Sequence, residues 1–163
     1  MGKVYVRVDD RLIHGATIVS WCPTWSIKEI IGIDDESAKN PTLKSIMIMG
    51  VPQTYKTHIV TTDEAKALLA KKSDGNRLVI VKYPAKLLTI LDSIRNCQMI
   101  QLGNLSKRAD CIHQLSGATG IFFLSNQDLA DIDALVKQGF EVNFQQLPNM
   151  TKTSWDSFRK SIK

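Results

Sequence analysis

No stretch of this chain is apolar for long enough to cross a bilayer; its hydrophobic runs fall well short of the ~18 residues that a helical span needs. No apolar leader of the secretory type opens the sequence, so a cytoplasmic protein is expected. Cysteine is scarce. Cys22, Cys97 and Cys111 are odd in number, far apart and without a C-x-x-C pair, which argues against a disulfide framework and a cysteine zinc site and leaves them as small buried hydrophobes. Aromatic residues make up 7% and do not interleave with the basic ones, so nucleic acid is not an expected partner. Internal repeats, low-complexity tracts and linkers are missing too, and residues 1–163 read as one domain.

What is present is an ordinary globular composition, 44% hydrophobic and 23% charged over 163 residues, enough to bury a core without staples. The net charge of +5 and a pI near 9.2 leave three readings open: an anionic lipid surface, an acidic protein partner, or solubility alone.

Apolar runs of β type fall at Lys3–Val8, Lys28–Ile33, Thr57–Thr61, Arg77–Lys82, Gln98–Leu102 and Gly120–Leu124. Most are continuously apolar, as parallel strands covered on both faces are. Helices alternate with them. Thr61 and Glu64 form a capping box ahead of Ala65, Leu68 and Leu69, with Lys71 and Lys72 suiting the C-terminal dipole. Pro84 opens a helix carrying Leu87, Leu88, Leu91 and Ile94. Ser125 and Asp128 cap another with Leu129, Ile132 and Val136, closed by Gly139. Phe140, Val142 and Phe144 then alternate with Glu141, Asn143 and Gln145, the period of a half-exposed strand, and the expectation is an antiparallel edge strand. Ser106–Gly117 reads as an irregular crossover or a short helix. The fold class is α/β: one open, doubly wound, mostly parallel sheet with helices on both faces.

In such folds ligands sit beyond the carboxyl ends of strands, near the point where strand order reverses. Asp9–Gly15 follows the first strand, Asp34-Asp35-Glu36 the second and Gly103-Asn104 the fifth, so these three loops are expected on one rim. The first has the parts for phosphoryl transfer through a histidine. That chemistry needs an exposed, unprotonated ring nitrogen, and His14 offers the imidazole. Arg11 offers a guanidinium for phosphate charge, and Asp9 or Asp10 a carboxylate to orient either side chain. Gly15 permits close backbone approach, and residues from Ala16 onward begin a helix whose N-terminus favours an anion. On the residues alone, His14 is equally a surface or core histidine and the Asp pair a turn cap. Asp34-Asp35-Glu36 is either an acidic metal site or a helix cap. His58 and His113 read as structural, and Trp21 and Trp25 as packing residues.

Arg-Val-Asp-Asp-Arg-Leu-Ile-His-Gly, Arg7–Gly15, resembles the signature of the IIB components of the mannose/fructose/sorbose class of bacterial sugar phosphotransferase systems. Ile33-Asp34-Asp35-Glu36, Leu102-Gly103-Asn104 and Val142–Pro148-Asn149 agree with it, so the resemblance runs along nearly the whole chain. It implies an open α/β sheet and a phosphocarrier that needs no cofactor and no metal. His14 would take a phosphoryl group at Nδ1 from a IIA phosphohistidine and hand it to a sugar hydroxyl presented by membrane IIC/IID components. Arg11 would neutralise phosphate charge and Asp10 would orient the site, with the Gly15, Ala16, Asp34, Asp35, Gly103 and Asn104 loops around them. The implied location is the inner face of the cell membrane, and a homodimer is one arrangement the family admits.

The chain departs from the family at Ala16-Thr17, where Gln-Val is usual, and over Ser106–Gly117. Ala16 keeps open a second class, a regulatory or adaptor module phosphorylated on His14 without sugar transfer. A histidine phosphatase would need Arg-His-Gly, whereas Leu12 and Ile13 intervene here. A receiver domain would gather Asp9, Asp10 and Asp34 around magnesium, with Lys82 nearby.

Overall fold

The computed structural model describes residues 2–162. Five of the apolar runs become parallel strands: β1 (Val4–Asp9), β2 (Ile27–Ile33), β3 (Lys56–Val60), β4 (Asn76–Val81) and β5 (Ile100–Asn104). With β8 (Val142–Phe144) and β9 (Thr153–Ser154) they form one sheet in the order β3-β2-β4-β1-β5-β8-β9. From β1 the chain moves toward β2, whereas from β5 it moves the other way toward β8. Strand order therefore reverses between the adjacent strands β1 and β5, and their carboxyl ends flank a crevice.

Side chains alternate across the sheet, and each face has its own core. Val6, Val8, Val79, Val81, Ile100 and Leu102 point to one face, where α4 (Thr62–Ala70), α5 (Pro84–Leu87), α6 (Asn126–Lys137) and α7 (Trp155–Ser161) cover them. Ile30, Leu78 and Ile80 point to the other, under Ile18 and Cys22 of the segment after β1 and Met47 and Ile48 of α3 (Pro41–Met49). The capping boxes at Thr61/Glu64 and Ser125/Asp128 are both formed. Pro84 occupies the first turn of α5, but the single helix expected through Ile94 is divided: α5 ends at Leu87, and Leu91–Ile94 is a separate 3-10 turn. Gly139 follows α6 at φ 97°, a left-handed position that favours glycine. Among the described residues no helix is long and apolar enough to cross a membrane.

Three further expectations change. The 140–144 segment yields β8, which runs parallel to β5 and is buried throughout, Asn143 included; the antiparallel edge strand is β9, which begins nine residues after β8 ends. Alternation was a true sign of a strand, but burial of Asn143 beside Gln101 is set by the partner strand. Second, Ser106–Gly117 is neither crossover nor helix. It supplies β6 (Cys111–Gly117), which pairs antiparallel with β7 (Gly120–Ser125) as a separate two-stranded sheet, so the sixth apolar run leaves the main sheet. A single bridge, Leu105 to Phe122, ties this hairpin to the end of β5. Third, only Cys22 is fully buried; Cys97 and Cys111 are half-buried. Burial pushes the Cys22 and Cys97 thiols up to about 11.

Candidate functional site

β1 ends at Asp9 and the chain turns at once, with the Leu12 N–H donating to the Asp9 carbonyl at 2.9 Å. Leu12 takes φ 60°, a left-handed conformation costing a leucine roughly 1–2 kcal/mol. Its side chain is wholly buried among Ile18, Ile30, Ile59 and Ile80, and burying a leucine returns roughly 1.5–3 kcal/mol. The buried leucine thus pins the loop, and His14 projects from it exposed to solvent.

The carbonyl of His14 accepts from the Ile18 N–H at 3.1 Å, which starts the helical segment from Gly15 onward. Thr17–Trp21 is a π-helical turn, and α1 (Cys22–Thr24) completes the segment. The Ala16 N–H, one of the free donors of this first turn, donates to His14 Nδ1 at 3.2 Å. An accepting ring nitrogen carries no proton, so neutral His14 is protonated at Nε2 and keeps its Nδ1 lone pair. The sequence offered a carboxylate to orient the ring; the fold fixes the tautomer with a backbone donor on Nδ1.

Behind the loop stands a charged row. Tyr5, Arg7 and Asp9 share one face of β1 because side chains repeat every second residue. Arg7 is completely buried, and its guanidinium donates to Asp9 Oδ2 at 3.4 Å, to Gln101 on β5 and to the carbonyls of Gln145 at 3.4 Å and Gln146 at 3.1 Å. Burial pulls Arg7 down to about 10 against the opposing pull of Asp9, so it stays charged at neutral pH. A Cβ at Gly103 would overlap this guanidinium, which is the physical reason for glycine there. Asp9, also fully buried, grips Arg11 with both oxygens, Oδ1 to Nε at 3.0 Å and Oδ2 to Nη2 at 2.9 Å, and Oδ1 also accepts the Arg11 N–H at 3.0 Å. Two guanidinium charges thus face one carboxylate behind the histidine loop. Arg11 is the partly exposed member of the pair.

The structure separates the candidate residues into two groups. Asp10 does not orient Arg11 or His14: its oxygens accept from Asn104 Nδ2 and the Ser106 N–H, both at 2.7 Å, and so join the β1 and β5 loops. The carboxylate that holds Arg11 is Asp9. Asn104 also accepts from Gln146 Nε2 at 3.0 Å, bringing the loop after β8 to the same crevice. Gly15 faces open space, and Thr17 is buried with its hydroxyl 3.5 Å from Asp9 Oδ2, turned away from the exposed side of the loop. Asp34 and Asp35 share the rim, but β2 lies two strand spacings from β1, on the order of 10 Å. Asp34 caps α2 (Asp35–Ala38) through Ser37 and pairs with Lys82 at 3.1 Å; partial burial raises its carboxyl, but the Ser37 and Lys82 contacts prevail and hold it low. Asp35 accepts from the Thr62 N–H at 2.7 Å, which holds its carboxyl low, and pairs with Lys86. Of the two readings of this cluster the cap is the one formed, and among the described residues no group of three or more metal-ligating side chains comes together.

His58 bridges to Glu29 at 2.7 Å at the other end of the sheet. Trp25 stacks on Tyr5 and packs at a tilt against Trp21, as packing residues do. Arg7, Gln101 and Gln146 are the residues that sequence reasoning missed. Arg7 had one linear signal, an arginine inside the otherwise apolar strand Val4–Val8; the other two are defined only by strand pairing and loop closure.

This arrangement has known relatives. The family model described as "PTS system sorbose subfamily IIB component" matches residues 3–163. The N-acetylgalactosamine-specific phosphotransferase enzyme IIB component 2 of Escherichia coli is 26% identical over 160 residues, covering 96% of each chain. The PTS system mannose-specific EIIAB component of the same species is 24% identical over 148 residues, 86% of this chain and 43% of that longer one. The IIBSor domain of the sorbose permease from Klebsiella pneumoniae superposes with a TM-score of 0.84 at 19% identity, over 100% of this chain and 99% of that one. The loops gathered at the β1–β5 crevice therefore belong to a IIB component of the sorbose subfamily of the phosphotransferase system, the family of which this chain is a member.

Proposed function

We propose that this chain, acting as one IIB domain over residues 1–163, carries a phosphoryl group on Nδ1 of His14. A phosphohistidine on a IIA partner supplies the group, and a sugar hydroxyl presented by membrane IIC/IID components receives it. The reading rests foremost on one observation: His14 is exposed, and its Nδ1 is kept free of a proton by the Ala16 amide. Arg11, gripped by Asp9, supplies fixed positive charge for an incoming group of close to two negative charges. The Ala16 N–H lies within reach of a phosphoryl oxygen carried on Nδ1, so a backbone donor serves where the family usually has a glutamine side chain. With positions fixed in advance, the protein contributes mainly orientation and electrostatics. The longer mannose-specific EIIAB relative supports a IIA partner, since the matching portion is there joined to further chain. The place of action is the cytoplasmic face of the membrane.

The balance is simple. The Nδ1–P bond forms as the donor's N–P bond breaks, and the sugar O–P bond forms as Nδ1–P breaks, with the hydroxyl proton lost to solvent. The test is a reconstituted relay with labelled phosphoenolpyruvate. The expected result is acid-labile, base-stable label on the chain, none on His14→Ala, and discharge on adding sugar with IIC/IID membranes. Equal labelling of His14→Ala would refute the assignment, and label that no sugar discharges would make the chain a regulatory module.

A further inference from the structure

The end of the sheet opposite the His14 loop holds two adjoining hollows of about 710 and 350 Å³ that share Lys71, Lys72, Ser73 and Arg77. Lys3, Lys28, Lys56, Lys66, Lys71 and Lys72 line them, all exposed, and none is ion-paired among the described residues. Strand order explains the gathering. β3, β2, β4 and β1 are neighbours and parallel, so Lys56, Lys28, Arg77 and Lys3 mark a row of amino ends about 14 Å long, with Lys56 and Arg77 on the α4 face and Lys28 and Lys3 each one residue out of phase with it. The middle of α4 adds Lys66, with Lys71 and Lys72 just beyond its end.

Arg77 sets this apart from a solubilising fringe. It is 6% exposed and lies at the floor of both hollows. Its Nε donates to Glu29 at 2.9 Å, and Glu29 is held in turn by His58. Nη1 and Nη2 make no hydrogen bond among the described residues, yet neither is sealed off without a partner in the interior, so they open into the hollows. A buried guanidinium anchored by one nitrogen and offering its remaining donors is a fork for an oxyanion. Among the described residues the carboxylates in the lining are Asp92 and Glu29, and Glu29 is occupied by Arg77 and His58.

We infer that this groove is a second anion site, taking a small molecule that carries two or more phosphoryl groups. One phosphoryl group sits on Arg77, and the next are spread along the lysine row, whose length exceeds the reach of a single anion. Each hollow has the space of an ordinary small-molecule cleft. The site lies about 16 Å from Asp9, the length of β1, so it stays open while the His14 pole engages a protein partner. The proposal does not depend on the phosphocarrier reading.

Inorganic tripolyphosphate is the probe, titrated into the ¹⁵N-labelled full chain at constant ionic strength. The expected shifts fall on Gly2–Val4 and Ser73–Arg77. Binding is about tenfold tighter than for orthophosphate or citrate, about tenfold weaker in Lys71→Ala/Lys72→Ala, and unaltered in His14→Ala. Arg77→Lys, keeping charge but not the fork, weakens binding as well; should that variant unfold, the exposed lysine pair still decides. Shifts centred on the His14 loop, citrate binding as tightly as tripolyphosphate, or an unaffected lysine double variant each overturn the proposal.

Discussion

The Ala16 N–H donates to Nδ1 of His14 at 3.2 Å, a contact two residues apart made possible because His14 is where the chain enters its first helical turn. A backbone amide therefore decides which imidazole nitrogen holds the proton, and no side chain at position 16 is needed for it.

Removing that donor tests the point. Ala16 has φ −61° in the first turn, where proline fits and its missing N–H breaks no helical bond. In Ala16→Pro, ¹⁵N spectra of the imidazole are expected to pass from one tautomer, protonated at Nε2, to a mixture. Phosphorylation should slow by roughly tenfold, the worth of one charge-assisted hydrogen bond. Unaltered imidazole spectra would sink the role given to the amide.

Asp9 is the anion on which the site's charge balance depends. In Asp9→Asn, Arg7 stays fully buried without its carboxylate and Arg11 loses both charged contacts. The expected loss in urea unfolding is about 3–5 kcal/mol, typical of a buried charge left unpaired. A loss below about 1 kcal/mol would mean that Gln101 and the Gln145 and Gln146 carbonyls suffice.

Two glycines near the site should respond in opposite ways. Gly103→Ala drives a Cβ into the Arg7 guanidinium and is expected to cost about 1–3 kcal/mol. It should also change tryptophan fluorescence, since Trp21 Nε1 donates to the same Gln146 carbonyl that Arg7 uses. Gly15→Ala meets nothing within 4 Å, so its stability should stay within about 0.5 kcal/mol of the parent while any effect on phosphorylation reports contact with a partner. Thermal melts of the two variants side by side give the answer.

Acid should destabilise the fold through carboxylates far from the histidine. Hydrogen bonds hold Asp35 and Glu64 below the ordinary carboxylate range, and the Ser37 and Lys82 contacts do so for Asp34 against its partial burial. Each has a lower pKa folded than unfolded, so its stabilisation is complete above the unfolded value near 4 and fades as pH falls through the folded one. The urea midpoint is expected to hold between pH 7 and 5 and to fall from about pH 4 downward. The Asp35→Asn/Glu64→Gln variant should show a shallower fall; an identical acid slope would remove these groups as its cause.

Strand positions, both capping boxes and the rim that carries His14 were legible in the sequence, because each follows from local rules: apolar runs, side chains that cap their own helix, and glycine at a turn. The roles of Asp9 and Asp10 were not separable. They are adjacent in sequence, and only pleating decides that Asp9 faces Arg7 and Arg11 while Asp10 faces Asn104. The 142–144 segment was recognisable as a strand, but its parallel pairing depends on a β5 neighbour some forty residues away.

By itself, then, the sequence determined an α/β sheet and a loop holding a histidine, an arginine and two carboxylates, since those are matters of period and composition. Tertiary structure alone decided which carboxylate grips the arginine, which imidazole nitrogen carries no proton, and that scattered lysines and one arginine from four strands and a helix meet at the far end of the sheet. Each of these depends on register and crossover order, which bring together residues that no linear pattern relates.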